Sequence, residues 1–257
     1  MIRVCVTGVT GWTGRPVARA IADADDLELV SGVSRSAGTR DPDLGVPVFA
    51  SVLEALEDTE CDVVVDYTEA TIVRGNVDAA LDHAVSVVVG TSGLTAEDFE
   101  EIDLRARQAG VGVIAAGNFS LLAALLVRSA AEIARHVRAW EILDYASADK
   151  PDVPSGTARE LAERLGAVGQ PAVGRPLGNL HGPVEARGAT VAGTQIHSVR
   201  LPSFVVSTEI VFGAEGERLL LRHDPGETPA PYVAGTLLAI RSVPGRVGLT
   251  RGLDSLI

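Results

Sequence analysis

The chain has 257 residues, which is long enough for one large domain or two smaller ones with a full hydrophobic core. Its 34 acidic and 22 basic residues give a formal charge of −12, which disfavours phosphate backbones and anionic membranes as partners. The longest uninterrupted apolar run, residues 121–127, is far shorter than the roughly 20 residues of a membrane helix. Because the chain opens with a strand-like run and no signal peptide, we expect a cytoplasmic protein that binds neither nucleic acid nor membrane.

Cysteine and lysine are both scarce. Cys5 and Cys61 lie within strand-like runs and have no metal-ligand or redox spacing, so we expect buried thiols and no metal site. Of the 22 basic residues, Lys150 is the single lysine. Lysine is a compact point charge with a tunable pKa, so this position is a candidate functional residue, although chance survival on a surface would also explain it.

Short apolar runs alternate with amphipathic stretches through the first half of the chain. The pattern predicts strands at residues 3–7, 27–33, 63–66, 85–89 and 112–116, with helices between them at 15–24, 72–83 and 96–108. Repeated strand–helix–strand units place such strands in one parallel sheet with helices on both faces. We therefore predict an α/β fold with a Rossmann-like, doubly wound sheet.

The rhythm changes after Asn118. The pattern predicts helices at 121–135, from about Ser155 and at 231–241, and strands at 139–145, 194–200, 205–213 and 218–223. The later strands alternate as antiparallel strands do, and residues 166–188, rich in Gly and Pro, are predicted to be a loop. We expect a second α+β domain whose sheet is mostly antiparallel.

A glycine motif follows the first strand. Residues 7–14 read TGVTGWTG, with Gly8, Gly11 and Gly14 placed before the first predicted helix. In a dinucleotide-binding turn such glycines permit the sharp bend, the close approach of a pyrophosphate and tight helix–strand packing. The strand–turn–helix context favours nucleotide binding over a purely structural turn.

The end of the second strand bears on the choice of cofactor. A site that prefers NAD places Asp or Glu there, whereas this chain has Ser34 and Arg35. A hydroxyl and a guanidinium suit the extra phosphate of NADP, so NADPH is favoured and NADH remains possible. The alternative is an exposed loop arginine.

The segment around Lys150 is the most specific in the chain. Ser155 is a good N-cap, and Gly156 and Thr157 open the helix that follows. Unpaired N–H groups, a hydroxyl and the ammonium of Lys150 would form a trap for a carboxylate or phosphate.

Residues 150–158 (KPDVPSGTA) resemble the K-x-D-x-P-S-G-T-A motif of dihydrodipicolinate reductases, NAD(P)H-dependent enzymes of bacterial lysine biosynthesis. Four further segments resemble that family in the same order: the cofactor loop at 8–14, D-F-T at 66–68, G-T-T-G at 90–93 and N-F-S at 118–120. The resemblance implies cofactor contacts at Gly8, Gly11, Gly14, Arg35, Tyr67, Gly90 and Phe119. It implies substrate contacts at Ser92, Lys150, Ser155, Gly156 and Thr157.

The resemblance also implies the domain organisation. A dinucleotide-binding domain would comprise residues 1–117 with 228–257, and a substrate-binding and oligomerisation domain would comprise 118–227. The antiparallel strands would build a homotetramer.

The chain departs from the family at its histidine pair. The family pattern E-x-H-H-x-x-K places the two histidines at Ala146 and Ser147 and the glutamate at Asp144. The first histidine is usually assigned as the general acid, a role that contributes about 10²–10⁴-fold to rate and that alanine cannot fill. Proton delivery is left to water, Ser147, Tyr145 or Lys150, which is our candidate catalytic residue.

We therefore expect a reductase that transfers hydride from NADPH to the C=N or conjugated C=C of a small carboxylated cyclic imine. Lysine biosynthesis competes with a paralogous role on another amino-acid-derived substrate, and a non-catalytic NADP(H)-binding regulator is a further alternative. An extended short-chain dehydrogenase is disfavoured, because the Tyr-x-x-x-Lys pair is absent.

Overall fold

A computed structural model describes residues 1–35, 43–172 and 174–257. The chain divides into two compact units, the first formed by Met1–Leu121 with Pro229–Ile257 and the second by Leu122–Thr228. The strands, numbered along the chain, are β1 (Ile2–Thr7), β2 (Leu27–Val33), β3 (Val48–Phe49), β4 (Val63–Asp66), β5 (Ser86–Val89), β6 (Gly112–Ala115), β7 (Trp140–Ala146), β8 (Ala189–Val191), β9 (Thr194–Arg200), β10 (Val206–Ala214), β11 (Glu217–His223) and β12 (Gly248–Arg251). The helices are α1 (Gly14–Ala22), α2 (Val52–Asp58), α3 (Val73–Asp82), α4 (Ala96–Ala109), α5 (Leu121–Ala134), α6 (Gly156–Val168) and α7 (Ala230–Ser242).

The first unit is built on one parallel sheet. In the described part of the chain its strands lie in the order β12-β6-β5-β4-β1-β2-β3, and each adjacent pair runs parallel. The chain moves outward from β1 in both directions, so the carboxyl ends of β1 and β4 flank the switch point at which ligands of such sheets bind. The predicted Rossmann-like sheet is confirmed.

The strands of this sheet are continuous apolar runs because both faces of the sheet are buried. Val63, Val64 and Val65 of β4 are completely buried, because a parallel sheet covered on both faces needs continuous apolar strands. Cys5 of β1 lies in the same core, where burial raises the pKa of its thiol to about 12. The thiol therefore packs as a small hydrophobic group.

Some short elements were not predicted, among them β3, α2 and β8. Helix α2 has seven residues and begins after Ser51, whose side chain accepts a hydrogen bond from the Glu54 N–H. The Glu54 carboxylate accepts in turn from the Ala50 N–H at 3.1 Å. The Ser-x-x-Glu capping signal was thus present in the sequence, although the helix was too short to show a clear period.

The second unit has a five-stranded mixed sheet in the order β11-β10-β7-β9-β8. The pair β7–β9 is parallel and the other pairs are antiparallel, which confirms a mostly antiparallel sheet. Helices α5 and α6 supply Val127, Ala130, Leu161 and Leu165 to a core shared with one face of the sheet. Within the predicted loop 166–188, α6 continues to Val168 and two short 3₁₀ turns follow.

The described residues contain no cluster of His, Cys, Asp or Glu side chains that could hold a metal ion. No helix among them combines the length and the apolar character needed to cross a membrane.

Candidate functional site

The glycine turn between β1 and α1 depends on the absence of side chains. Gly8 has a φ of +69°, and a Cβ atom there would lie 2.1 Å from the Tyr67 carbonyl oxygen. A Cβ atom on Gly14 would lie 2.1 Å from the Gly8 carbonyl oxygen, to which the Gly11 N–H donates at 2.8 Å. Thr13, which precedes α1, makes no side-chain cap. The first turn of α1 can therefore present N–H groups to a phosphate.

A cavity of about 460 Å³ opens over the carboxyl ends of β1, β2, β4 and β5. Its lining includes most of the predicted cofactor residues together with one predicted substrate residue: Gly8, Gly11, Ser34, Arg35, Tyr67, Gly90 and Ser92. Phe119 does not line the cavity, but its ring packs edge-on against that of Tyr67 with centroids 6.0 Å apart. The first unit thus brings together, at its switch point, residues that are distant in sequence.

One end of the cavity carries the groups expected to choose the cofactor. The Ser34 hydroxyl lies 2.9 Å from that of Thr10. The Arg35 side chain is 87% exposed, and its guanidinium lies 3.8 Å from the Glu69 carboxylate. Glu69, which also lines the cavity, was missed in the sequence analysis because it follows another strand. This end offers both a cation for a phosphate and a carboxylate for a ribose diol.

The Tyr67 ring forms one wall of the cavity and leaves no room for a side chain at Gly90. A Cβ atom on Gly90 would lie 2.2 Å from Cε1 of the Tyr67 ring. The Tyr67 hydroxyl lies 2.6 Å from that of Thr236 on α7, and burial raises the pKa of Tyr67. Sequence reasoning missed Thr236 because 169 residues separate it from its partner.

Asp66, at the end of β4, is a completely buried carboxylate. It accepts hydrogen bonds from Thr7 Oγ1 (2.9 Å), Asn76 Nδ2 (2.7 Å), Thr68 Oγ1 (2.7 Å), Thr68 N (3.2 Å) and Thr91 Oγ1 (2.6 Å). All of these donors are neutral, and three of the residues line the cavity. Asp66 therefore fixes the segments that follow β1, β4 and β5 around the cavity.

The second unit holds the Lys150 loop. The Lys150 ammonium lies 2.8 Å from Asp152 Oδ1, so it is paired within its own loop. Ser155 caps α6, as predicted, and its hydroxyl oxygen accepts from the Ala158 N–H at 3.3 Å. The loop therefore has an ammonium near one end and the N-terminus of a thirteen-residue helix at the other.

Two residues that were not predicted as site residues anchor this loop. Asp144 of β7, completely buried, accepts from the Ser155 N–H and the Ser198 hydroxyl at 3.0 Å each. Arg200 of β9 donates to Asp144 Oδ2 at 2.9 Å and to the Asp152 carbonyl oxygen at 2.8 Å. Burial raises the pKa of Asp144, but the bonds from Ser155 and Arg200 outweigh it, so the net pKa is lowered. The carboxylate stays ionised and holds both ends of the loop.

Ala146 and Ser147 stand at the positions of the family's two histidines. Ala146 is completely buried at the end of β7, and its carbonyl oxygen accepts from the Leu201 N–H at 3.1 Å. Tyr145 lies on the opposite face of the sheet, where its ring stacks on Phe204 at 5.2 Å and lies under the Arg222 guanidinium. Burial also raises the pKa of Tyr145, so this phenol is a poor proton donor for the Lys150 loop.

Comparison with known proteins gives the family. The model of the dihydrodipicolinate reductase N-terminus matches residues 2–119, and that of the C-terminus matches residues 120–255. The chain is 37% identical to 4-hydroxy-tetrahydrodipicolinate reductase of Synechococcus elongatus over all of this chain and 98% of that protein. It is 36% identical to the enzyme of that name from Mycobacterium sp. strain KMS, over 100% and 99% of the two chains.

Solved structures agree with the sequence comparison. The dipicolinate-bound dihydrodipicolinate reductase from Paenisporosarcina sp. TG-14 superimposes with a TM-score of 0.76 at 29% identity, covering both chains completely. GenD2 from gentamicin A biosynthesis, solved with NAD, shares the fold with a TM-score of 0.66 at 15% identity over 99% of this chain and 90% of that one. The chain therefore binds a pyridine nucleotide and belongs to the dihydrodipicolinate reductase family of NAD(P)H-dependent reductases, as its motifs predicted.

Proposed function

We propose that this protein reduces a small carboxylated cyclic imine at its C=N or conjugated C=C bond, with NADPH as the preferred reductant. The proposal depends mainly on one observation in the second unit: the Lys150 ammonium lies in the loop that leads into the Ser155-capped helix α6. Ammonium and helix N-terminus both favour a bound carboxylate. A protein that only sensed nucleotide would have no use for such a site.

The first unit fits the cofactor. The turn at Gly8, Gly11 and Gly14 would hold the pyrophosphate at the N-terminus of α1, and the Gly90 backbone and the Tyr67 ring would bound the nicotinamide. When bound, the cofactor supplies the hydride. The protein's own part is to hold the ring in one orientation, which the network around Asp66 supports.

The preference for NADPH rests on the end of β2. Ser34 and Arg35 would contact the 2′-phosphate, and they stand where a carboxylate would favour NADH. Glu69 lies 3.8 Å from Arg35 and competes for it, so we expect a modest preference, with NADH also accepted.

We assign the substrate carboxylate to the second unit. Lys150 would neutralise it and the N–H groups of Gly156 and Thr157 would donate hydrogen bonds, while Ser155, whose hydroxyl bonds Asp144 and the Ala158 N–H, would hold that end of α6 in place. We also assign Ser92, which lines the first unit's cavity, to substrate binding.

A second candidate is reduction of a different amino-acid-derived substrate outside lysine biosynthesis. The complete burial of Ala146 favours it, because the place of the family's general acid is filled by packed atoms. Restoring Ala146→His with Ser147→His separates the two candidates. A gain of about 10²-fold on the lysine-pathway substrate would mean that only a proton donor was lost, whereas no gain supports a reshaped pocket.

We further propose a cytoplasmic homotetramer. Helices α5 and α6 cover one face of the second sheet, while Leu220 on the other face is 54% exposed and Leu143 and Tyr145 are half-buried. An uncovered sheet face with such residues suits association with further copies of the chain. Sedimentation of the wild type beside Leu220→Glu tests this point.

The activity is tested by following NADPH oxidation with 4-hydroxy-tetrahydrodipicolinate and with a panel of cyclic imino acids. We expect turnover of at least one of them and its loss in Lys150→Ala. Oxidation of none of them, with NADPH binding intact, would overturn the proposed substrate class.

A further inference from the structure

The glycine turn that follows β1 carries one large side chain. Trp12 stands between Gly11 and Gly14, lines the cavity and is 51% exposed. A single exposed aromatic residue on a protein surface needs no explanation, but this one belongs to the turn proposed to hold a pyrophosphate. The close approach of Gly14 to Gly8 fixes the backbone on both sides of Trp12. The Trp12 side chain therefore lies next to any dinucleotide that occupies the turn.

The Trp12 ring has an aromatic support on α7. It packs at a tilt against the ring of Tyr232, with centroids 6.0 Å apart and an interplanar angle of 60°. About half of Trp12 remains exposed in spite of this contact. One part of the indole is thus held by the protein, while another part is open to a ligand.

Helix α7 also supports the wall that would bound the nicotinamide. One turn after Tyr232, the Thr236 hydroxyl donates to the Tyr232 carbonyl oxygen at 2.7 Å and lies 2.6 Å from the Tyr67 hydroxyl. Residues four apart lie on the same face of a helix. Neighbouring positions on one face of α7 therefore support both Trp12 and Tyr67. This arrangement assigns Trp12 to the Tyr67 side of the cavity and not to the end that carries Arg35.

We propose that Trp12 is a further cofactor-binding residue, whose indole packs on the pyrophosphate and nicotinamide riboside of the bound dinucleotide, and that Tyr232 positions this ring. The inference rests on the cofactor placement proposed above. The nicotinamide riboside is common to NADPH and NADH, so the contact stabilises both complexes equally. It supplies affinity that does not depend on the 2′-phosphate, and it thereby allows NADH to bind beside an arginine at the end of β2.

The first test compares dissociation constants by titration calorimetry. Trp12→Ala should raise the Kd for NADPH and the Kd for NADH by the same factor, about tenfold, because the packing of an aromatic ring is lost. The Kd for adenosine 2′,5′-bisphosphate, which lacks the nicotinamide riboside, should stay the same. Trp12→Phe keeps a ring and should recover most of the affinity. Leu104→Ala, at a 58% exposed residue of α4, is the matched control and should change nothing.

The second test uses fluorescence and needs no turnover. The chain has two tryptophans, Trp12 and Trp140, and reduced nicotinamide absorbs where tryptophan emits. We expect NADPH to quench the emission of Trp140→Phe, which retains Trp12, at least twice as strongly as that of Trp12→Phe. Trp140, whose indole N–H donates to Thr194 at 3.0 Å, serves as the internal reference. If Trp140→Phe fails to fold, the wild type takes its place in the comparison.

The role of Tyr232 is tested in the same titration. Tyr232→Leu should weaken the quenching of Trp12 and raise the Kd for NADPH by about threefold, since the indole loses its aromatic support. Tyr232→Phe keeps the ring and should behave as the wild type. Equal quenching in Tyr232→Leu and Tyr232→Phe would overturn the positioning role.

An unchanged Kd for NADPH in Trp12→Ala would overturn the proposal. A rise for NADPH alone, or an equal rise for adenosine 2′,5′-bisphosphate, would place Trp12 at the adenosine half and overturn it as well. If Trp12→Ala does not fold, quenching that persists in Trp12→Phe decides against the proposal. Gly90→Ala tests the cofactor placement separately. Weakened binding in Gly90→Ala alone would sink only this inference, whereas unchanged binding in both variants would overturn the placement itself.

Discussion

The two units each bury one aspartate completely near the carboxyl end of a central strand, and they stabilise it in different ways. Asp66 in the first unit accepts hydrogen bonds from threonine and asparagine side chains and a backbone N–H. Asp144 in the second accepts from a serine N–H, a serine hydroxyl and the guanidinium of Arg200.

The difference shows how each unit stabilises its buried carboxylate. Asp66 accepts its hydrogen bonds from neutral donors near the ends of three strands. It therefore holds the wall of the first unit's cavity in place without a charged side chain as partner. The single cation beside Asp144 joins a strand to a loop, and Asp144 Oδ1 has no hydrogen-bond partner among the described residues. We infer that the first unit is built to hold a ligand still, whereas the second is built to respond to charge.

The largest effect is expected from Asp144→Asn. The substitution leaves Arg200, 15% exposed, without its countercharge and should lower the free energy of unfolding by about 3–5 kcal/mol. Asp66→Asn leaves no uncompensated cation and should cost less, about 1–3 kcal/mol for mismatched hydrogen bonds. Urea unfolding of both variants measures the difference, and a larger loss for Asp66→Asn would contradict this comparison.

The stability effect of Asp144→Asn should depend on pH. Because the folded-state pKa of Asp144 is lowered, its contribution is fully present above its unfolded pKa of about 3.9 and is lost as pH falls through the folded value. The stability difference between wild type and Asp144→Asn should therefore shrink on acidification below about pH 4.

Lys150→Ala tests the carboxylate contact proposed for the second unit. We expect kcat/KM to fall by about 10²-fold, because a charge-assisted hydrogen bond to the carboxylate is lost, while the Kd for NADPH stays unchanged. Lys150→Arg should fail as well, since the wider planar guanidinium does not replace a point charge. Full activity of the arginine variant would show that the single lysine is an accident of composition.

Gly90→Ala tests the cofactor contact proposed for the first unit. Its new Cβ atom would lie 2.2 Å from the Tyr67 ring, so the ring must move, and we expect the Kd for NADPH to rise at least tenfold. Gly75→Ala on α3 is the matched control, because nothing lies within 4 Å of its added Cβ atom. Fluorescence titration measures both variants, and equal affinities would show that the Tyr67 wall does not contact the cofactor.

The smallest effect concerns cofactor choice. Arg35→Ala should reduce the ratio of NADPH to NADH affinity by about tenfold, since an exposed guanidinium forms a phosphate contact of modest strength. Arg19→Ala, an exposed arginine on α1, should leave the ratio unchanged. An unchanged ratio in Arg35→Ala would remove the argument for a phosphate contact at this position.

Much of the fold was readable because its signals are local. The β9 strand at 194–200 and the helix starting at Ala96 agree with the structure to the residue, since period and capping decide them within a few positions. The glycine turn, the Ser155 cap and the Lys150 loop were readable for the same reason, as each is written in fewer than ten consecutive residues.

What the sequence determined by itself, then, is the parallel sheet, its nucleotide turn, the capped helix and the absence of histidine at 146 and 147. Only the tertiary structure placed Thr236 on Tyr67, Glu69 beside Arg35, Arg200 on Asp144, and Tyr232 against Trp12. These residues come from different strands and helices, and no periodicity along the chain encodes their partners. They meet because strand order and register fix which side chains face one another, and that is settled only when the whole sheet packs.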